Sequence, residues 1–261
     1  MRRRLPIFVL AALLALSAAA VTWAAVEKRG NVVVHFDADF SPHSLPREAP
    51  APIDVTIKGA VSTTDGSHPP PLEWLEIELN RNGRLYTKGL PSCASSSLQS
   101  TSSEEAKGRC GRALVGHGSF SADIVLGSTK PVTSAGKILA FNGRRAGKPA
   151  LLLHFFGGAP VRFTLVVPLR IGHNKDGAFG TVLRARIPKL ANGFGSITAI
   201  NLSLGRRWSS AGQRHSYLSA ACSAPTDFTA VPFPFARARF RFADHPEIRS
   251  TLVKACRVRK R

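Results

Sequence analysis

ITAINLSLGRRWSSAGQRHSYLSAAC, residues 197–222, is the stretch whose reading decides the fold of this chain. Ile200, Leu202 and Leu204 alternate with Asn201 and Ser203, the period of two that places one face of a strand in a core and the other in water. A turn carrying Arg206, Arg207 and Arg214 follows, then Tyr217 and Cys222, so the order is strand, basic turn, strand, cysteine. The same order occurs earlier. Leu75, Ile77 and Leu79 alternate with Glu76 and Glu78, Arg81 and Arg84 occupy the turn, and Tyr86 leads to Cys93.

The echo extends outward in both directions. IDVTIKG (residues 53–59) lines up with VLRARIP (182–188), and LVGHGSFSAD (114–123) with FARARFRFAD (235–244). This pattern predicts two related β modules, residues 50–125 and 180–260, joined by a middle hairpin region, 126–179. Chance likeness among alternating strands is the competing reading, and one domain or two fused halves both suit the length.

The remaining segments agree on class. Strands are expected over residues 31–40, 53–58, 72–80, 120–126, 137–141, 149–156, 161–170, 179–187 and 235–242, separated by glycine and proline turns. Asn82-Gly83 reads as a hairpin turn and Asn142-Gly143 as the start of another connection. The proline-rich SPHSLPREAPAP (residues 41–52) is expected as an edge or loop, Pro225, Pro232 and Pro234 as a loop, and the serine-rich run 92–103 as a surface loop. No segment carries the periodicity of an amphipathic helix of ordinary length. The expected fold is all-β, an antiparallel β-sandwich or open barrel.

Residues 1–25 have the layout of an export signal: Arg2, Arg3 and Arg4, an apolar run from Ile7 to Leu16, then small residues. Cleavage after Ala20 or Ala24 fits, and an uncleaved N-terminal anchor is the alternative. The β domain then spans residues 26–261, and the expected location is extracellular or envelope-associated. Four cysteines in an exported chain imply two disulfides; of the three pairings, Cys93 with Cys110 and Cys222 with Cys256 keep each loop within one half. No cysteine has another ligand at zinc spacing, and the sequence points to no metal and no cofactor.

Charge is the strongest functional signal. The full chain has 36 Lys and Arg against 16 Asp and Glu, a balance of +20, which favours anionic surroundings. Arg237, Arg239 and Arg241 share one predicted strand face, Arg184 and Arg186 another, and Arg206, Arg207 and Arg214 lie in the basic turn. These eight arginines are the candidate anion-binding residues, with anionic envelope polymer or lipid head groups as partner. Two other readings compete. The arginines solvate an exposed sheet and discourage edge pairing, or the acidic positions Asp54, Glu76 and Glu78 meet the basic face within the chain or between copies. Nucleic acid attracts such a surface too, but an exported protein meets envelope anions first.

Enzyme signatures are sparse. GxSxG, HExxH and Walker-type glycine loops are absent from the sequence, so a hydrolase reading needs a site assembled from scattered residues. Asp37 and Asp39 share a strand face and suit a cation, although a solvated strand end is the commoner meaning. His154, within LLLHFF, reads as a hydrogen-bonded core or rim histidine; His215 sits in the basic turn without an identifiable partner. Trp208 reads either as a platform for a sugar ring or membrane surface, or as packing beneath its turn.

STTDGSHPPPL, GRLYTKGLPSC, ILAFNG and YLSAACSAPTDF together resemble a group of exported actinobacterial proteins with no assigned activity. The resemblance implies export and a shared fold, and it carries over no catalytic residue. The expected function is therefore a non-enzymatic exported β protein of the cell envelope that binds anions through its basic faces.

Overall fold

The computed structural model describes residues 24–125, 127 and 130–259. Residues 1–25, read as an export signal or anchor, therefore lie almost wholly outside the described residues. The chain is all-β. Its strands in order are β1 (Ala25–Arg29), β2 (Val32–Ser41), β3 (Ser44–Leu45), β4 (Ala51–Pro52), β5 (Asp54–Thr63), β6 (Leu72–Asn80), β7 (Gly83–Leu85) and β8 (Cys93–Ala94). One short helix, α1 (Ser103–Cys110), separates these from β9 (Leu114–Ile124), β10 (Val132–Arg145), β11 (Lys148–Gly157), β12 (Phe163–His173), β13 (Phe179–Arg186) and β14 (Gly195–Leu204). The chain ends with β15 (Arg207–Ser210), β16 (Gln213–Ser216), β17 (Leu218–Ala220), β18 (Ala230–Phe242) and β19 (Ile248–Val258).

Thirteen strands form one path, β1-β2-β5-β14-β9-β10-β11-β12-β13-β6-β18-β19-β3, with β8 added alongside β10. The sheet curls into a half-barrel, the open-barrel form of the expected class. Inward positions at a period of two, among them Phe36, Phe120, Leu151, Leu183, Leu202 and Phe240, make the main core. The two ends of the sheet approach one another, with β19 lying against β1 and β2. Lys254, itself buried, crosses this seam to Asp37 Oδ1 at 2.9 Å.

The two echoing stretches do not build separate sheets. β14 lies between β5 and β9, and β6 lies between β13 and β18, so each stretch gives its central strand to the other. Where the chain leaves these strands, β7 pairs antiparallel with β17, Leu85 opposite Leu218, and the Tyr86 amide donates to the Tyr217 carbonyl at 2.9 Å. The only two tyrosines of the chain thus meet at this crossing. With β4, these segments form a three-stranded lid over one end of the barrel. Tyr217 is fully buried beneath it, and burial pushes its phenol well above the ordinary range.

Several local expectations are corrected. Asn82-Gly83 makes no hairpin, because β6 pairs with β13 and β18 rather than β7. Asn80 holds that turn instead, its Oδ1 accepting from the Asn82 amide at 2.9 Å. Asn142-Gly143 lies inside β10, and the two-residue turn is Ala146-Gly147, both with positive φ. Gly143 is required there because a Cβ would come within 2.4 Å of Leu152 and 2.8 Å of the Cys93 carbonyl. Pro232 and Pro234 belong to β18, in the portion that pairs only with β19, where a missing amide is tolerated. β14 is not followed by a partner strand, since the basic turn folds on itself as the β15–β16 hairpin around Ala211-Gly212. β1 and β19 were not anticipated from sequence.

The serine-rich run, expected as a surface loop, is clipped by the Cys93–Cys110 bridge and also covers part of the sheet. Leu98, Ala106 and the Cys93–Cys110 disulfide pack with Leu139, Phe141, Leu152 and Val166 on the outer face of β10–β12, a second core. α1 starts with a capping box, in which the Glu105 amide donates to Ser102 Oγ and the Ser102 amide to Glu105 Oε2. The second disulfide, Cys222–Cys256, ties the segment after β17 to β19. Each bridge stabilises by about 3 kcal/mol on the chain-entropy model, and together they fit an oxidising compartment. Among the described residues no helix is long and apolar enough to cross a membrane.

His154 is a fully buried residue of this second core. Thr101 Oγ1 donates to the Leu98 carbonyl at 2.8 Å, so it accepts from His154 Nε2 at 3.0 Å, as does the Thr101 carbonyl. Both contacts require the Nε2–H tautomer, which leaves Nδ1 buried with no partner. Burial accordingly holds the pKa of His154 below the ordinary histidine value, against the Thr101 carbonyl bond that favours the charged ring. Its stabilisation is complete above the unfolded value of about 6.5 and is lost as pH falls through the lower folded value. The melting temperature should therefore drop between pH 7 and 4.5 more steeply for the wild type than for His154→Gln, which keeps a donor toward Thr101. Parallel slopes by scanning calorimetry would contradict this account.

Candidate functional site

The arginine rows and the acidic positions meet inside the chain. On the outer face of the half-barrel, β6 runs between β13 and β18 in a register that places Arg184, Glu76 and Arg239 on one rung and Arg186, Trp74 and Arg241 on another; on a third, Glu78 lies beside Arg237. Arg184 Nε donates to Glu76, and Arg237 Nε to Glu78 at 2.5 Å. Arg239 approaches Glu76 at 3.5 Å and Glu78 at 4.0 Å. Asn174 Nδ2 donates to Glu78 at 2.7 Å. Arg237 also lies over the Phe179 ring at 4.7 Å and Arg241 over Trp74 at 5.2 Å.

Glu76 and Glu78, read from sequence as wet positions, are 4% and 3% exposed. The arginine stems and fork-shaped heads cover them. Burial alone would raise the Glu78 pKa, but the Arg237 bond, Asn174 and the Arg239 charge bring it below the ordinary carboxylate value.

Five of the eight sequence candidates are thus engaged: Arg184, Arg237 and Arg239 by the buried glutamates, Arg241 by Glu247 at 3.8 Å, and Arg207 by Asp54 at 3.0 Å. Arg184, Arg186, Arg237, Arg239 and Arg241 share the outer face of the half-barrel, and none of them lines either of the two cavities at its ends. Arg206 is half-buried, with its Nε unpartnered, while Arg214 stands exposed on the hairpin.

A concavity does exist, at the lidded end of the barrel. An open cleft of about 1,010 Å³ is lined by Arg81, Arg84 and Tyr86 from one echoing turn and by Arg207, Trp208, Arg214 and His215 from the other. The β7–β17 pairing brings these turns, more than a hundred residues apart, side by side. Tyr86 stacks on His215 at 5.1 Å and on Trp208 at 6.1 Å with ring planes 18° apart, and Trp208 Nε1 is buried without a partner. Arg81 is oriented by the GHNKDG turn, donating to the Gly177 carbonyl at 2.7 Å and the Lys175 carbonyl at 2.8 Å. Arg84 and Arg214 have no carboxylate partner among the described residues, and the described lining contains no Asp or Glu. Trp208 and His215 therefore belong to a half-exposed aromatic platform. Arg81 and Arg84 were visible in sequence as turn residues, but only the lid shows which other turn they face.

The opposite end of the barrel opens into an interior cavity of about 480 Å³ with apolar walls. Asp37 and Asp39, the imagined cation pair, are instead drawn toward Lys254 and toward His43 at 3.7 Å. Among the described residues no three His, Cys, Asp or Glu side chains converge as metal ligands. Comparison with protein-family models, curated proteins and solved structures finds no match.

The arginine–glutamate ladder makes a stability prediction. Arg237→Met strands Glu78 in its buried position with Asn174 and the more distant Arg239. A loss of about 3 kcal/mol is expected at pH 7, the low end for a broken buried pair because Arg237 is itself over a third exposed. Since Glu78 has a depressed folded pKa, its contribution exists above the unfolded value of about 4.3 and disappears as pH falls through the folded one. Urea denaturation should find the variant's deficit much smaller at pH 3 than at pH 7.

Proposed function

We propose that the protein is an exported, non-enzymatic binding protein of the cell envelope that holds an anionic glycan in the cleft at the lidded end. The observation that carries this reading is the convergence of both basic turns on one aromatic-floored cleft with no acid in its described lining. Guanidinium groups pair with carboxylate, sulfate or phosphate in fixed fork geometry. The Tyr86–Trp208 pair offers a flat apolar surface to a sugar ring, with polar atoms at its edge. Trp208 and Arg81 are already oriented by stacking and by backbone carbonyls, so little ordering cost falls on binding.

The outer arginine face has a different part in this reading. Its charges are largely spent on Glu76 and Glu78, and it adds a long-range attractive field rather than contacts. The two disulfides and the signal-like first 25 residues support an extracytoplasmic setting, where polymers bearing carboxylate or phosphate are the anions encountered.

Isothermal titration at low salt with polygalacturonate, poly(glycerol phosphate) and neutral dextran tests the proposal. Both anionic polymers should bind with salt-sensitive affinity and dextran should not. Arg84→Ser with Arg214→Ser is expected to weaken binding by about tenfold per arginine. Tyr86→Ala should weaken polygalacturonate more than poly(glycerol phosphate), which lacks a ring to stack. Binding that is absent at low salt, or unchanged in the double arginine variant, would remove the reading.

A further inference from the structure

We infer that the interior cavity is a second binding site, separate from the cleft and at the other end of the barrel, and that it takes a single-chain zwitterionic amphiphile. The reasoning begins with packing. Protein interiors are filled to crystal-like density, with few voids larger than a water molecule. A cavity of about 480 Å³ walled by residues such as Leu75, Leu153, Phe155, Val167 and Ile200 is therefore no packing defect; it falls in the size range of small-molecule sites, roughly 300–1,000 Å³. Several of its wall residues, Leu75, Ile187, Ile197 and Ile200, point inward yet remain only half-buried, because none of the described residues covers them.

The chain builds this space with specific devices. β14 carries a bulge opposite β9, where Ile197 faces Ala122 and Ala199 faces Ser121, so that Thr198 is the extra residue. The bulge reverses the inward parity of the strand, and Ile197 joins Ile200 on the cavity wall instead of pointing outward. Across the wall Gly59 replaces a side chain with empty volume, its missing Cβ lying 3.2 Å from Ile200 Cγ1.

The mouth selects the head group. Glu73, Lys189 and Asp244 stand at the rim, all exposed and none paired with another charge among the described residues. Unpaired charges of both signs beside an apolar chamber complement a zwitterion: Lys189 meets a phosphate while Glu73 and Asp244 meet an ammonium. The lip is the tight loop from Leu190 to Gly195, with Ala191, Asn192 and Gly193 at positive φ. It presents Phe194, 63% exposed, between two glycines that themselves line the cavity. An aromatic ring held out at a cavity mouth by a left-handed loop suits contact with a lipid surface from which a chain is drawn.

Displacement of the neutral apolar dye N-phenyl-1-naphthylamine from the full mature chain tests the site. Lysophosphatidylethanolamine with a 16-carbon chain should displace it at one equivalent, and shortening the chain should weaken binding about tenfold for each two carbons. Ile200→Trp and Leu75→Trp fill the chamber from opposite walls, and each should reduce affinity at least tenfold without lowering the melting temperature or altering binding to polygalacturonate. Lys189→Gln and Glu73→Gln should weaken the lysolipid while leaving dye binding unchanged. Affinity independent of chain length, or undiminished in both tryptophan variants, would overturn the site. Tighter binding of palmitate or lysophosphatidylglycerol than of the zwitterion would overturn the head-group assignment.

Discussion

Two buried carboxylates, Glu76 and Glu78, fix the register on which this fold depends. They occupy alternate outward positions of β6, and arginines on β13 and β18 close over them from both sides. A slip of one residue would turn both acids into the apolar core and present Leu75, Ile77 and Leu79 to water. Charged pairs of this kind add little net stability, since desolvation offsets much of their attraction. Their contribution is specificity: many apolar strands fit between β13 and β18, but one with acids at that spacing satisfies Arg184, Arg237 and Arg239 at once.

From that register the two ends of the barrel follow. With β6 set between β13 and β18, and β14 between β5 and β9, the chain leaves both central strands on the same side. The two basic turns emerge together, pair through β7 and β17, and close that end with Tyr217 beneath. The other end is made of strand ends and their connecting loops, with no pairing of the described residues across it, and it stays open. Lid and mouth are thus two outcomes of one strand exchange, and the cationic cleft and the apolar chamber inherit their separation from it.

Much of this architecture was legible in the chain because alternation is a local signal. β6 was bounded as observed, and most of the other expected strands lay within a few residues of the observed ones. The disulfide pairing followed from keeping loops short. Errors arose where a local signal was overruled by neighbours distant in sequence. Asn142-Gly143 has the dipeptide of a turn, but Gly143 is small because Cys93 and Leu152 press against it. Pro232 and Pro234 fit a strand because one side of β18 is unpartnered there. The arginine faces were found correctly as faces, and their pairing with Asp54, Glu76 and Glu78 within the chain was one of three readings the sequence left open, since no periodicity reveals that the acidic strand inserts between them. The cavity left a trace only as the glycine and the extra threonine that shape its wall.

The exchange of central strands also governs how the chain can reach its native state. Ile77 finds Leu183, and Gly118 finds Leu202, across long stretches of intervening chain. Neither half can complete its sheet while the other is still missing, because each would be left with a gap where the borrowed strand belongs. This topology disfavours folding one half at a time; completion of the main sheet waits for both central strands, at the modest pace that non-local pairing imposes. Once formed, the halves cannot separate as rigid bodies. Opening either end of the barrel by parting the halves would require drawing a strand out of the middle of a sheet, so any change in the width of either end falls to the loops and the lid.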